Sequence, residues 1–89
     1  MTVTIDCSEI QTKEDFHRKF SNLLYLPGFY GNNLDALHDC LTALPQKTIL
    51  NLLHTQALIR NLGPYGRAAI AAIALAERES PDRLTVNML

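Results

Sequence analysis

The sequence predicts an α/β domain: a small three-stranded parallel sheet with about four helices packed against it, in the order β-α-α-β-α-α-β. Three observations carry that expectation. Short segments rich in β-branched and apolar residues stand near both ends and in the middle, at 2–6, 48–53 and 84–89. Two segments of helical character fall between each successive pair. Strands separated by that much helix pair in parallel, with the helices as crossovers. At 89 residues a single domain spanning 1–89 is expected. No internal repeat, low-complexity segment or linker divides the chain.

Each element has its own signal. Residues 2–6 alternate around Val3 and Ile5, as a half-buried strand does. Thr12 is a helix N-cap with Asp15 in the first turn. The helix from Lys13 is expected to bury Phe16, Phe20, Leu23 and Leu24, at offsets 0, 4, 7 and 8, and to end before Pro27-Gly28. Asn33 caps a second helix whose inner face is Leu34, Leu37 and Leu41, stopping before Pro45. The run at 48–53 is mostly apolar and predicts a strand covered on both faces. A short helix over 55–61 ends at Gly63-Pro64, and Gly63-Pro64-Tyr65-Gly66 reads as a helix–helix turn. The alanine-rich segment 66–79 favours helix, Ser80-Pro81 stops it, and the last strand follows.

Composition narrows the function classes. Apolar residues make up 47% of the chain and charged residues 19%, which suits a folded globule rather than a disordered chain. Met1-Thr2-Val3-Thr4 is not a signal-peptide start, and no stretch approaches the ~20 apolar residues that span a bilayer. A cytoplasmic protein without membrane contact is therefore expected. Cys7 and Cys40 are too few for a disulfide framework and are expected as packed thiols. The net charge of −1 does not suggest direct nucleic-acid binding.

Charge placement says more than the total. No lysine or arginine occurs from Phe20 to Gln46. Within that stretch Asp35 and Asp39 lie one helical turn apart, where like charges repel by roughly 0.2–0.5 kcal/mol. The helix dipole accounts for Asp35 in the first turn but not for Asp39 beyond it. With Leu34, Leu37 and Leu41 turned inward, Asp35, His38, Asp39 and Thr42 fall on or near the outer side. Phe29, Tyr30 and Gly31 occupy the loop just before the helix, a common place for binding residues. The expected surface is solvent-facing, with aromatics, a glycine and two acids. A local conflict with stability points to function.

The stretch LPGFYGNNLDALHDCLT, residues 26–42, closely resembles the corresponding segment of the barstar family of intracellular ribonuclease inhibitors. The resemblance is carried by leucine-proline, an aromatic pair, then Gly31, Asn33, Leu34, Asp35, Ala36, Leu37, Asp39, Cys40 and Leu41. Outside this stretch it lies mainly in length and element order. It implies an inhibitor, not an enzyme, that binds a cognate basic, secreted ribonuclease one-to-one, as a monomer and without a cofactor. Asp39 would stand where a substrate phosphate binds, supported by Asp35. A carboxylate can replace phosphate oxygens against a basic site, and a base-free acidic patch steers encounter with one. Phe29, Tyr30, Gly31 and Asn33 would pack on the nuclease, and Thr42 and Leu44 would lie at the far rim. The chain departs from the family pattern at Phe29, where the family has tyrosine, and at His38 and Leu44, where it has tryptophan. Ala76 aligns with a further interface acid of the family, with Glu77 beside it. The placement of His38 between two interface acids leaves two readings, a neutral contact residue or a contact that gains charge in mild acid.

Other chemistries have less to stand on. Asp35, His38 and Asp39, at offsets 0, 3 and 4, share a helix face with metal-ligand spacing, and His17 and His54 are the remaining imidazoles. Nothing resembles HExxH, however, and the cysteine spacing fits no zinc site, so no metal is expected. His17 is expected on the surface, and Cys40, flanked by the inward leucines, is expected to be buried and inert. No glycine-rich phosphate loop occurs. The alternative to an inhibitor is a non-inhibitory protein-binding module that turns the same acidic surface to a different basic partner.

Overall fold

Val3, Leu50 and Val86 stand side by side in one sheet, and that register organises the molecule. The structure is a computed structural model that describes residues 1–89. Strand β1 (Thr2–Asp6) is followed by a single 3-10 turn (Cys7–Glu9), α1 (Lys13–Leu23), α2 (Leu34–Thr42) and β2 (Thr48–Leu53). Helices α3 (Gln56–Leu62) and α4 (Pro64–Glu79) then lead to β3 (Leu84–Met88). The sheet is parallel with β2 in the centre, order β1-β2-β3. This is the predicted α/β architecture, β-α-α-β-α-α-β. The 3-10 turn was not foreseen; it is nucleated by Asp6, whose carboxylate accepts the Ser8 N–H.

The sheet is covered on one face only. Val3, Ile5, Thr48, Leu50, Leu52 and Leu84 are buried, whereas Thr2, Thr4, Ile49, Thr85 and Asn87 are exposed. The expectation that 48–53 is covered on both faces is thus corrected. The reason is topological: both crossovers step in the same direction across the sheet, and a right-handed crossover then puts its helices on the same side each time. No helix is long and apolar enough to cross a membrane.

The helix boundaries follow their caps. Thr12 accepts the Asp15 N–H at the start of α1, and Asn33 accepts the Ala36 N–H at 2.8 Å at the start of α2. Helix α1 buries Phe16, His17 and Phe20, with Leu24 just past its end, while Leu23 is exposed. His17 takes the inward place assigned to Leu23. Full burial of each phenylalanine contributes about 1.5–3 kcal/mol. The segment Gly63-Pro64-Tyr65-Gly66 is not a free turn. Gly63 alone links α3 to α4, at φ 60°, and Pro64 is the first residue of α4, where its missing N–H costs nothing. Helix α4 packs between α2 and α3 through Ala69, Ile73 and Ala76.

Candidate protein-binding surface

The surface is built by the loop between α1 and α2 and by α2 itself. Helix α1 ends in a left-handed residue, Tyr25 at φ 53°, with the Leu26 N–H returning to the Ser21 carbonyl at 3.0 Å. This is the Schellman pattern of helix termination. A turn closed by the Tyr30 N–H on the Pro27 carbonyl, 2.9 Å, then sets the aromatic pair in opposite directions. Phe29 is 89% exposed, whereas Tyr30 is only 8% exposed.

Tyr30 corrects the sequence reading, which placed it on the solvent-facing surface. Its hydroxyl meets Nδ1 of His17, and Nε2 of His17 lies 2.6 Å from the Tyr65 hydroxyl. A neutral imidazole satisfies both contacts, donating from one nitrogen and accepting at the other. Burial pushes the His17 pKa down and that of Tyr30 above the usual phenol value. His17, expected on the surface, is 3% exposed and anchors the loop to α1 and α4. Neither ring nitrogen is left to hold a metal.

The remaining loop residues position α2. Asn33 donates to the Gly31 carbonyl while its side-chain oxygen caps the helix. A side chain at Gly31 would crowd Asn33 at 3.1 Å. Asn32 takes φ 53°, a conformation asparagine tolerates. Asp35 is exposed, and the Asp39 side chain is 84% exposed. The ion pairs made by arginine and lysine, Arg18–Asp15 and Lys19–Glu9, are both elsewhere, on α1. Neither Asp35 nor Asp39 has a lysine or arginine partner.

His38 is partly sheltered at the seam between α2 and α4. Its Nε2 meets the Glu79 carboxylate and its Nδ1 lies 3.5 Å from Asp39 Oδ1. The Glu79 bond, and secondarily Asp39, hold its pKa above the ordinary imidazole value. Thr42 is half-buried, and its hydroxyl donates back to the His38 and Asp39 carbonyls, both at 3.1 Å. Leu44, expected at the rim, is buried, and its carbonyl accepts Arg83 Nη1 at 3.0 Å. Helix ends leave carbonyls free; Ser80 reaches that of Thr42 at 3.5 Å, and Arg83 holds the chain just beyond the cap.

The structure therefore brings Phe29, Gly31, Asn33, Asp35, His38 and Asp39 to one loop-and-helix unit and turns Tyr30 and Leu44 inward. Ala76 is fully buried on the core face of α4, so nothing at that position reaches solvent. Glu77 accepts the Val86 N–H at 2.7 Å and belongs to the sheet edge. Glu79 was missed; its only sequence signal was a place one turn after Ala76.

Beside Asp39 runs a groove of about 390 Å³, bounded by Leu24, Tyr25, Phe29, Cys40, Ala43, Leu44 and neighbouring loop residues. Cys40, expected buried, is half-buried on its wall, with its thiol pKa raised by burial. Cys7 is fully buried and pushed up to about 11.

Elsewhere, His54 and Ser8 both approach Asp6. Ser8 Oγ donates to Asp6 Oδ1 at 2.6 Å, and His54 Nδ1 reaches the same oxygen at 3.0 Å. The serine hydroxyl and the imidazole thus meet on one carboxylate oxygen and not on each other.

The chain is thus a parallel three-stranded α/β domain that presents two exposed acids on α2 and an exposed aromatic ring on the loop before it. The family model described as "Barstar (barnase inhibitor)" matches residues 1–88, and the chain belongs to the Barstar family. It is also 31% identical over 87 residues to a Bacillus subtilis (strain 168) protein named "Putative ribonuclease inhibitor YrdF", an alignment covering 94% of this chain and 93% of that protein.

Proposed function

We propose that this chain is a cytoplasmic inhibitor of a basic ribonuclease, binding it one-to-one through α2 and the loop before it. The observation that carries the reading is the exposed pair Asp35 and Asp39, one turn apart with no lysine or arginine partner. Family membership and the name of the Bacillus subtilis relative support it. Asp39 takes the role of substrate phosphate, Asp35 supports it, and Phe29, Gly31 and Asn33 pack alongside. The core residue Tyr30 holds the loop in place from behind. The protein does no chemistry itself. It occludes a cleft whose cationic side chains relieve the repulsion between the two acids.

The test is a titration of RNA cleavage by barnase, and by the basic ribonucleases secreted by the source organism, with wild type and Asp39→Ala. Inhibition should reach completion at one equivalent. Asp39→Ala should lose more than about 2 kcal/mol of binding, the usual hot-spot threshold, with an unchanged melting temperature. The matching aspartate of barstar itself is a hot spot of this kind, and the expected loss follows from that family likeness. Binding to a basic protein with cleavage left intact would replace the inhibitor reading with that of a non-inhibitory module.

A further inference from the structure

Between α1, Tyr65 of α4 and the loop at Asn32 lies a polar cleft of about 440 Å³, within the size range of small-molecule sites. Groups that the fold leaves without partners converge on it. Six asparagines occur in the chain, and Asn33, Asn51, Asn61 and Asn87 each bond within it. The other two, Asn22 and Asn32, line the cleft. So does Ser21, the one serine of three whose hydroxyl meets nothing in the chain. Lys13 and Glu14, opposite charges adjacent in sequence, line it too, and neither joins an ion pair with the other or elsewhere. Arg18 also lines it but is already paired with Asp15. The buried side of the cleft adds a further donor. The Tyr30 hydroxyl is buried, and its partner is Nδ1 of His17. Were Nδ1 to carry the imidazole proton, the Tyr30 hydrogen would have no acceptor. Nδ1 therefore accepts, and Nε2 donates to the Tyr65 oxygen at 2.6 Å. The Tyr65 hydroxyl proton is then left without an acceptor in the chain, on a residue that lines the cleft. Lys13 Nζ stands 4.6 Å from the centre of the same ring.

We propose that this cleft binds a small zwitterionic amino acid with an uncharged polar side chain. The carboxylate of the ligand accepts from the Tyr65 hydroxyl beside the Lys13 ammonium, and its own ammonium meets the Glu14 carboxylate. Ser21, Asn22 and Asn32 hydrogen-bond its side chain. Charge complementarity selects this class. A simple anion would face Glu14 and a simple cation would face Lys13, each without compensation. An apolar molecule would strip water from Ser21, Asn22 and Asn32 without replacing the bonds. The cleft shares no charged group with the acidic surface of α2, so the inference stands apart from the inhibitor reading.

The experiment follows amide chemical shifts of the full chain by NMR during titration with L-glutamine. Three further probes isolate its parts: glutaramate, which lacks the ammonium; 4-aminobutanamide, which lacks the carboxylate; and inorganic phosphate, a simple anion. Glutamine should move Glu14, Arg18, Asn22, Asn32 and Tyr65 together, and at lower concentration than any of the three. Glu14→Gln should weaken glutamine by up to about fivefold, the range of an exposed ion pair. Tyr65→Phe should weaken it by about tenfold, as the loss of a hydrogen bond to a charged group does. Because Tyr65→Phe also takes a partner from His17, Asn32→Gly is read beside it. Glycine suits the φ of 53° at that position, so this variant keeps its fold, and it should weaken glutamine about two- to tenfold. No shift at about 10 mM glutamine, a tenfold excess over a millimolar site, overturns the proposal. So do shifts that avoid the cleft, and so does affinity that Glu14→Gln and Asn32→Gly both leave unchanged. Phosphate or glutaramate binding the cleft as tightly as glutamine overturns it as well, because Glu14 would then hold no ammonium.

Discussion

Replacing His17 with leucine isolates the contact that anchors the binding loop. The imidazole is buried and meets two hydroxyls, Tyr30 on the loop and Tyr65 on α4. Leucine fills similar space but offers neither hydroxyl a partner. Tyr65 is only half-buried and regains water. Tyr30 is buried and does not, and a buried orphan hydroxyl costs about 1–3 kcal/mol. For a domain of this size a loss of about 2 kcal/mol lowers the melting temperature by about 8–16 °C. The sign of a second change identifies the cause. Tyr30→Phe removes the orphan, so the double variant should melt above His17→Leu alone, although Tyr30→Phe in the wild type is destabilising. The pH dependence gives an independent reading. Burial lowers the His17 pKa in the fold, so the unfolded chain takes up a proton near pH 6.5 that the fold resists. The stability that His17 contributes is complete above that value. It falls as pH drops through it, by at most about 1.4 kcal/mol per pH unit, until the folded pKa is passed. His38, whose pKa is raised, contributes in the opposite sense, so the comparison is between wild type and His17→Leu, which share it. Urea melts between about pH 8 and 5.5 should show the two stability curves converging as pH falls. Parallel curves, or a double variant less stable than His17→Leu, would refute the reasoning.

The other outcomes are more direct. Gly66→Ala places a methyl 2.1 Å from the Leu58 carbonyl oxygen and 2.5 Å from its carbon. The resulting displacement of α3 should outweigh the helix gain of about 1 kcal/mol and cost a net 1–3 kcal/mol or more, seen as a melting temperature at least about 4 °C lower. The bonds from the Ser8 hydroxyl and then His54 draw the Asp6 carboxyl from 3.8 down to about 2. Its contribution is present above pH 3.8 and lost as pH falls towards 2, so Asp6→Asn should flatten the acid-unfolding curve in that window. Protonated His38 shields Asp39 and Glu79 from a basic partner, and its raised pKa moves that shielding to milder acid. Affinity for an inhibited ribonuclease should therefore rise with pH until His38 is neutral, by at most about tenfold per unit, and His38→Gln should remove the slope. An affinity flat between about pH 8 and 5.5 would sink this account.

Periodicity made the architecture legible, and it could not do the same for single side chains in loops. Phe16, Phe20, Leu37 and Leu41 were placed correctly because each repeats at helical spacing with its neighbours. Thr12 and Asn33 were recognised as caps because that chemistry is local. Tyr30 is expected outside but lies inside because adjacent loop residues point in directions set by a turn, and polarity misleads here: the hydroxyl-bearing ring is buried on His17 and the apolar Phe29 ring is exposed. His17 was misplaced because its partners are 13 and 48 residues away. Leu44 follows the end of α2 and is turned inward, with Arg83, 39 residues on, holding its carbonyl. Glu79 gains its meaning from packing α4 on α2, which no local pattern encodes. The outward face of β2 looked core-like because Ile49 and Leu53 are apolar, and only the shared hand of the two crossovers leaves that face open.

These misplacements share a direction. Each residue that was expected outside and is found inside, Tyr30, His17 and Leu44, fixes one boundary of the acidic surface to the core. The loop is held at its centre by the His17 contact, and the end of α2 by Ser80 and Arg83. A surface held at both ends is ordered before a partner arrives, which reduces the entropy lost on binding. Helix α2 itself keeps the backbones of Asp35 and Asp39 one turn apart, where like charges repel. That repulsion is small, is eased in acid by protonated His38 beside Asp39, and would be removed by a cation lying between the two acids. The interior of this fold therefore holds a strained charge pattern in place, and the strain is relieved by the class of partner that the surface is proposed to meet.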